Sequence, residues 1–203
     1  MEVLETRTAI AALFALAVAW FFLHKYAANP AKKLLLKASN NDPQAQYELG
    51  MFYYKNKKMA DHYKHAFRWF ETAANNGNVR AMVALAGLYN AGYGCKQNAK
   101  RSMEWYKTAA QTGDFEARIN LAICYLQGIG TEKNEPRGFD LLKKAADQHS
   151  PLACTLLGDL YAKGKGVEQD EENALKYYLK AADRGEPFAQ KRLRKWKARG
   201  KLK

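Results

Sequence analysis

Four stretches of this chain read almost as one phrase: WFETAANNGNVRAMVALA from Trp69, WYKTAAQTGDFEARINLA from Trp105, LLKKAADQHSPLACTLLG from Leu141 and YYLKAADRGEPFAQKRLR from Tyr177. Aligned on their alanines, Ala45, Ala81, Ala117, Ala153 and Ala189 follow one another in steps of 36 residues. Leu49, Leu85, Leu121 and Leu157 keep the step, followed by Gly50, Ala86, Ala122 and Gly158, and then by Tyr53, Tyr89, Tyr125 and Tyr161. The pairs Ala73-Ala74, Ala109-Ala110, Ala145-Ala146 and Ala181-Ala182 complete the pattern. A fixed period without insertion marks an array, in which each unit buries its apolar face against its neighbours.

Within a unit the apolar spacing is helical twice. Ala45, Leu49 and Tyr53 fall at i, i+4, i+8, while Ala66, Trp69, Phe70 and Ala73 fall at i, i+3, i+4, i+7. The small residues let two antiparallel helices approach closely, and the large ones fill the space beside them. Asp42, Asn78, Asp114 and Ser150 share an N-cap column, with Glu186 a poorer fifth, and Pro43, Pro151 and Pro187 follow at the first helical position. Gly77, Gly113 and Gly185 stand where the preceding helix must stop, and Gly92, Gly128 and Gly164 punctuate the turn inside units two to four. Asn98, Asn134 and Asp170 can cap the second helix. Unit one departs, with Asn56 and His62 in place of the glycine and the cap, and His149 replaces an inter-repeat glycine.

On AMVALAGLYNAGYG from Ala81 and ACTLLGDLYAKGKGVEQDEENALKYYLKAADRG from Ala153, the chain resembles the Sel1-like repeat family, relatives of the tetratricopeptide repeats. The resemblance runs from about Ala38 to Ala198. It implies an all-α, right-handed αα-superhelix that acts as an adaptor or scaffold for other proteins, without catalysis of its own. The expected layout is a short tail (1–7), a transmembrane anchor (8–26), a basic linker and entry to the first repeat (27–41), repeats at 42–77, 78–113, 114–149 and 150–185, and a capping helix with a basic tail (186–203).

The anchor rests on Ala9 to Leu23, AIAALFALAVAWFFL, which carries no polar side chain. From Thr8 to His24 the run is seventeen residues without a permanent charge, about 25 Å as a helix against a hydrocarbon core of about 30 Å. Arg7 and Lys25 can snorkel, and Trp20 and Tyr26 suit the interface. A cleaved signal peptide is the competing reading, opposed by the acidic start MEVLETR and the bulky end Trp20-Phe21-Phe22. A helix buried in a soluble protein is the third, and it would need cover on every side. Arg7 on one side faces Lys25, Lys32, Lys33 and Lys37 on the other, which places the solenoid in the cytoplasm, with the periplasm as the alternative.

A formal charge of +13 on 203 residues brings anionic partners into view. Three cysteines, Cys95, Cys124 and Cys154, lack disulfide or zinc spacing and fit a reducing compartment. Cys124 shares a column with Phe52, Leu88 and Leu160 and reads as a small buried hydrophobe. Asp61 to His65, DHYKH, offers two imidazoles at i, i+3 but no third ligand nearby, and reads as a solvated helix start. The turns Gly92-Tyr93-Gly94, Gly128-Ile129-Gly130 and Gly164-Lys165-Gly166 lack the strand and lysine of a phosphate loop. No nucleophile motif is present, so the expectation is no enzyme, no metal and no cofactor.

Two candidate surfaces remain. Solenoids bind along the face lined by each first helix, here Tyr47, Met51, Tyr54, Arg80, Val83, Asn90, Asn120, Ile123, Gln127 and Asp159, together with Gly87, Glu116, Ile119, Thr155 and Lys163 on the same face. These positions vary among the four units, which fits either a shaped groove or a relaxed surface. The tail QKRLRKWKARGKLK carries eight Lys or Arg in fourteen residues. Among these, Lys191, Arg192, Arg194, Lys195, Lys197 and Arg199 suit an anionic lipid or an acidic protein ahead of nucleic acid, because only Trp196 interleaves them. The leading functional expectation is a membrane-anchored adaptor holding a protein partner. The alternatives are a periplasmic envelope accessory or hydrolase-related protein, or a receptor on an organelle surface.

Overall fold

The computed structural model describes residues 30–198 and Gly200. The expected span 8–26 and Arg199 lie outside these residues. Among the described residues there are ten helices and no strand, and no helix is long and apolar enough to cross a membrane. They are α1 Pro30–Ser39, α2 Pro43–Lys55, α3 His62–Asn75, α4 Val79–Ala91, α5 Ala99–Gln111, α6 Phe115–Gln127, α7 Glu135–Asp147, α8 Pro151–Lys163, α9 Glu171–Ala182 and α10 Pro187–Ala198.

The caps follow the columns. Asp42 accepts from the backbone N–H groups of Gln44 and Ala45, and Asn78, Asp114 and Ser150 accept from Ala81, Ala117 and Ala153. Asn98, Asn134 and Asp170 do the same at the second helices. Each such bond satisfies an orphan N–H and stabilises its helix start by about 1 kcal/mol. Unit one is the exception in a slightly different way from the sequence expectation. His62 is the first helical residue, and the cap position belongs to Asp61, which is left-handed (φ 52) and accepts no capping bond. His149 (φ 66) and Asn41 (φ 61) adopt the left-handed geometry of the inter-repeat glycines in whose column they stand.

Helices pack α2 on α3, α4 on α5, α6 on α7 and α8 on α9, and each pair stacks on the next. Ala45, Ala81, Ala117, Ala153 and Ala189 are all buried, as are Leu49, Leu85, Leu121 and Leu157. The small residue after each leucine has a direct cause: a Cβ added at Gly50 would sit 2.6 Å from the Phe70 ring, and one at Gly158 equally close to Tyr178. The second glycine of each internal turn has another. Gly94, Gly130 and Gly166 hold positive φ, and a Cβ on them would run into the backbone of Tyr63, Ala99 and Glu135 at the start of the preceding unit's second helix. The Gly-x-Gly turns are therefore stacking joints. Aromatic edges reinforce the joints, with Phe67 against Tyr89 and Phe139 against Tyr161 at centroid distances of 5.2 and 5.3 Å.

Among the described residues a single helix flanks the paired units on each side. Within the stretch expected as a linker, Pro30–Ser39 is helical: Ala38 is buried and Leu34 packs on Ala45 and Leu49. These two stand 36 residues before Ala74 and Phe70, so α1 occupies the place of a second helix ahead of unit one. At the other end α10 takes the place of a fifth first helix, with Ala189 buried against α9.

Candidate functional site

The first helices α2, α4 and α6 lie in successive units, and their shared face is hollow. A groove of about 420 Å³ is lined by Met51 and Tyr54 from α2, Val83, Ala84 and Gly87 from α4, and Glu116 and Asn120 from α6. Leu88 and Ala91 from α4, Phe70 from α3, Tyr106 from α5 and Tyr93 from the turn of unit two complete it. Val83, Ala84 and Glu116 carry it into a second hollow of about 360 Å³, where Tyr47, Arg80 and Asp114 form the walls.

The hollow has a local origin. Met51, Gly87, Ile123 and Asp159 share one column, and glycine at the second of these leaves only the half-buried Tyr106 hydroxyl beyond it: a Cβ there would come 3.8 Å from that oxygen. Burial pushes the Tyr106 phenol up to about 12, with Cys124 and Glu116 adding to the shift, so the hydroxyl is protonated at neutral pH. The aromatic groups form a chain along the groove. Tyr47 meets Phe70 at 5.8 Å, Phe70 meets Tyr54 at 6.4 Å, Tyr54 meets Tyr63 at 5.6 Å, and Tyr63 stacks on Tyr93 at 4.5 Å and 13°.

Of the residues expected on this face, Tyr47, Met51, Tyr54, Arg80, Val83, Gly87, Glu116 and Asn120 come together here. Asn90, Ile123, Gln127 and Asp159 do not, nor do Ile119, Thr155 and Lys163. Asn90 is exposed, and its backbone carbonyl accepts from Gln97 Nε2 at 2.7 Å. Ile123 packs into the core around Leu142 and Leu157, and Gln127 is exposed as the last residue of α6. Asp159 belongs to the C-terminal cap, where it accepts from Arg192 Nε and Nη2 at 2.8 Å each and from the Tyr178 hydroxyl at 2.7 Å. Arg192, expected among the lipid-facing cations, is held inward by that pair, whereas Lys191, Arg194, Lys195 and Lys197 are exposed. The sequence reading missed Phe70, Tyr93 and Tyr106 because two of them occupy packing columns of second helices and the third sits in a turn. Gly87 among bulkier residues was the available signal.

The other candidates resolve into structure. His62 Nδ1 lies 3.2 Å from the Met59 carbonyl while His65 stacks on Tyr53 at 5.0 Å. Among the described residues no group of three or more ligating side chains could hold a metal. Cys124 and Cys154 are buried and Cys95 half-buried, all as free thiols.

Residues 43–78, 79–114, 115–150 and 151–186 each match the family model described as Sel1 repeat. The chain belongs to the Sel1 repeat family. No curated protein matches it. Among solved structures, this Sel1-repeat chain is similar to a protective antigen of uropathogenic Escherichia coli strains displaying an SLR fold, with 30% identity and a TM-score of 0.77 over 84% of its own length. It spans 36% of that antigen. A Sel1 repeat protein from Oxalobacter formigenes superposes with a TM-score of 0.76 at 26% identity, covering 87% of this chain and 74% of the other. The Helicobacter pylori cysteine rich protein B shares the fold at 19% identity and a TM-score of 0.51, over 64% of this chain and 98% of its own.

Proposed function

We propose that this Sel1-repeat chain is a non-enzymatic, membrane-anchored scaffold that holds a segment of a protein partner in the groove of units one to three. The observation that carries the reading is the groove itself: three successive first helices leave an unfilled hollow lined by four aromatic rings. Such a hollow offers apolar area and a few fixed polar groups, the ingredients of peptide recognition. Tyr54 and Glu116 are exposed and Asn120 is half-buried, so the three can be replaced together by alanine without touching a buried column. Partner capture is expected to be lost at unchanged helicity, and undiminished capture would rule the groove out.

Membrane attachment rests on the apolar run Ala9 to Leu23 and on the residues after it. α1 exposes Leu35 and Leu36 beside Lys33 and Lys37, and no acidic residue occurs between Thr8 and Asn41. These features support a position for α1 next to an anionic leaflet, with the solenoid on its cytoplasmic side. The packing runs from each helix to its neighbours in the chain, so α10 lies eight helices beyond α2 in the stack, away from α1. Its exposed cations Lys191, Arg194, Lys195 and Lys197 then face an acidic surface of the partner. Retention of the full chain in membranes at alkaline pH tests the anchor, and release with peripheral proteins would contradict it.

A further inference from the structure

The occupant of the groove can be narrowed by the chemistry of its walls. In a chain of 33 Lys and Arg, the 420 Å³ hollow is lined by Tyr54, Phe70, Tyr93 and Tyr106, by one carboxylate, Glu116, and by no basic side chain. Two of the rings are open to solvent: Tyr54 is 37% and Tyr93 44% exposed. Tyr93 has one face covered by Tyr63 at 4.5 Å, so Tyr63 fixes the ring without closing it. It is also held in place by its neighbour Gly94, which abuts the start of α3. Glu116 stands in the first turn of α6 and is exposed, and its charge reaches the Tyr106 hydroxyl. The adjoining hollow adds Asp114 and Arg80, which leaves the pair of hollows with one more carboxylate than cation.

Aromatic rings beside a carboxylate bind cations: the ring quadrupole attracts positive charge and the carboxylate adds a Coulomb partner. The chain already uses the first of these contacts within its own fold, where Arg137 lies 4.6 Å over the Tyr125 ring. We propose that the groove is a lysine-recognition site: a lysine side chain of the partner lays its ammonium against Tyr54 and Tyr93, with the Tyr106 hydroxyl as an acceptor and Glu116 as counter-ion, its alkyl stem running over Val83. This rests on the scaffold reading and specifies what the scaffold grips.

The test uses the full-length chain in neutral detergent, titrated with N-acetyl Gly-Lys-Gly amide and with the same peptide carrying norleucine, which keeps the stem and loses the charge. The methyl resonances of Val83 and Ala84 report occupancy. The lysine peptide is expected to bind about 5-fold tighter than the norleucine peptide, the range of a cation–π contact at solvent-exposed rings. Tyr93→Leu, which keeps an apolar side chain but removes the ring, and Glu116→Gln, which removes the charge, each bring the ratio toward one. Tyr93→Phe, which keeps the ring, preserves it. Equal binding of both peptides, with Val83 shifting, overturns lysine recognition and leaves an apolar peptide groove. Shifts from neither peptide overturn the groove as a binding site altogether.

Discussion

Asp159 grips Arg192 across 33 residues with two parallel bonds of 2.8 Å, and the same carboxylate takes the Tyr178 hydroxyl at 2.7 Å. The last helix of the array is thereby tied to the first and second helices of unit four, and Trp196 adds an edge contact to Tyr178 at 5.4 Å. Paired geometry of this kind is stronger than a lone surface ion pair. Because the Arg192 side chain remains 39% exposed, Asp159→Asn is expected to cost about 1 kcal/mol. In a chain of this size that corresponds to a fall of about 2–4 °C in Tm. Thermal unfolding of the variant checks it, and amide exchange locates the loss in α10 ahead of the rest.

The turn glycines divide by what surrounds them. Gly77 has φ +86 with nothing within 4 Å of an added Cβ, whereas Gly130 has φ +70 and would drive its Cβ into the Ala99 carbonyl. Gly77→Ala is expected to destabilise by about 1 kcal/mol, the strain of a left-handed alanine alone. Gly130→Ala meets that strain plus a backbone clash between units, and about 3 kcal/mol or more is expected. Urea midpoints of the two variants decide; equal losses would contradict the stacking role of the second glycine.

Alkaline pH should loosen the solenoid through its buried phenols. Burial pushes Tyr106 up to about 12, and burial together with the bond to Asp159 pushes Tyr178 up further. A folded value above the ordinary 10.0 means that the protonated phenol contributes stability, fully present below pH about 10 and lost as pH rises through the folded value. Stability is therefore expected to fall between about pH 10 and 12, and Tyr106→Phe to flatten part of that fall. Phenolate absorbance followed beside circular dichroism measures both.

The thiols give a kinetic expectation. Burial raises Cys124 to about 11 and raises Cys154 and Cys95 as well; Cys95 alone is half-exposed. With little thiolate and little access, Cys124 and Cys154 should resist a disulfide reagent at pH 8 in the folded chain while Cys95 reacts slowly. All three should react promptly in denaturant. Fast reaction of Cys124 in the native chain would contradict its place in the core.

The sequence was most readable where its chemistry repeats. Ala81 or Leu85 announces its role because Ala117 and Leu121 say the same 36 residues later, and caps such as Asn98 act locally, within three residues. Groove residues are harder, because a hollow depends on what is missing. Gly87 leaves space before the Tyr106 hydroxyl, which belongs to a partner 19 residues away on another helix, and Tyr93 enters the groove because its turn stacks on Tyr63 of the preceding unit. Asp159 reads as a groove residue by its column, and only the packing of α10 shows that Arg192 claims it. α1 was hidden for a similar reason: Lys37 stands where alanine stands in every unit, which masks the continuity of Leu34 and Ala38 with the repeat.

The most direct test of groove binding is site-specific photocrosslinking of the full-length chain in its native membranes. A photoreactive residue at Asn120, in the groove, is compared with one at Lys143, exposed on the second helix α7. A discrete adduct is predicted from position 120, weakened by Tyr93→Leu, and none from position 143. Adducts of equal yield from both positions, or from 143 alone, would contradict the groove as the surface by which this solenoid holds its partner.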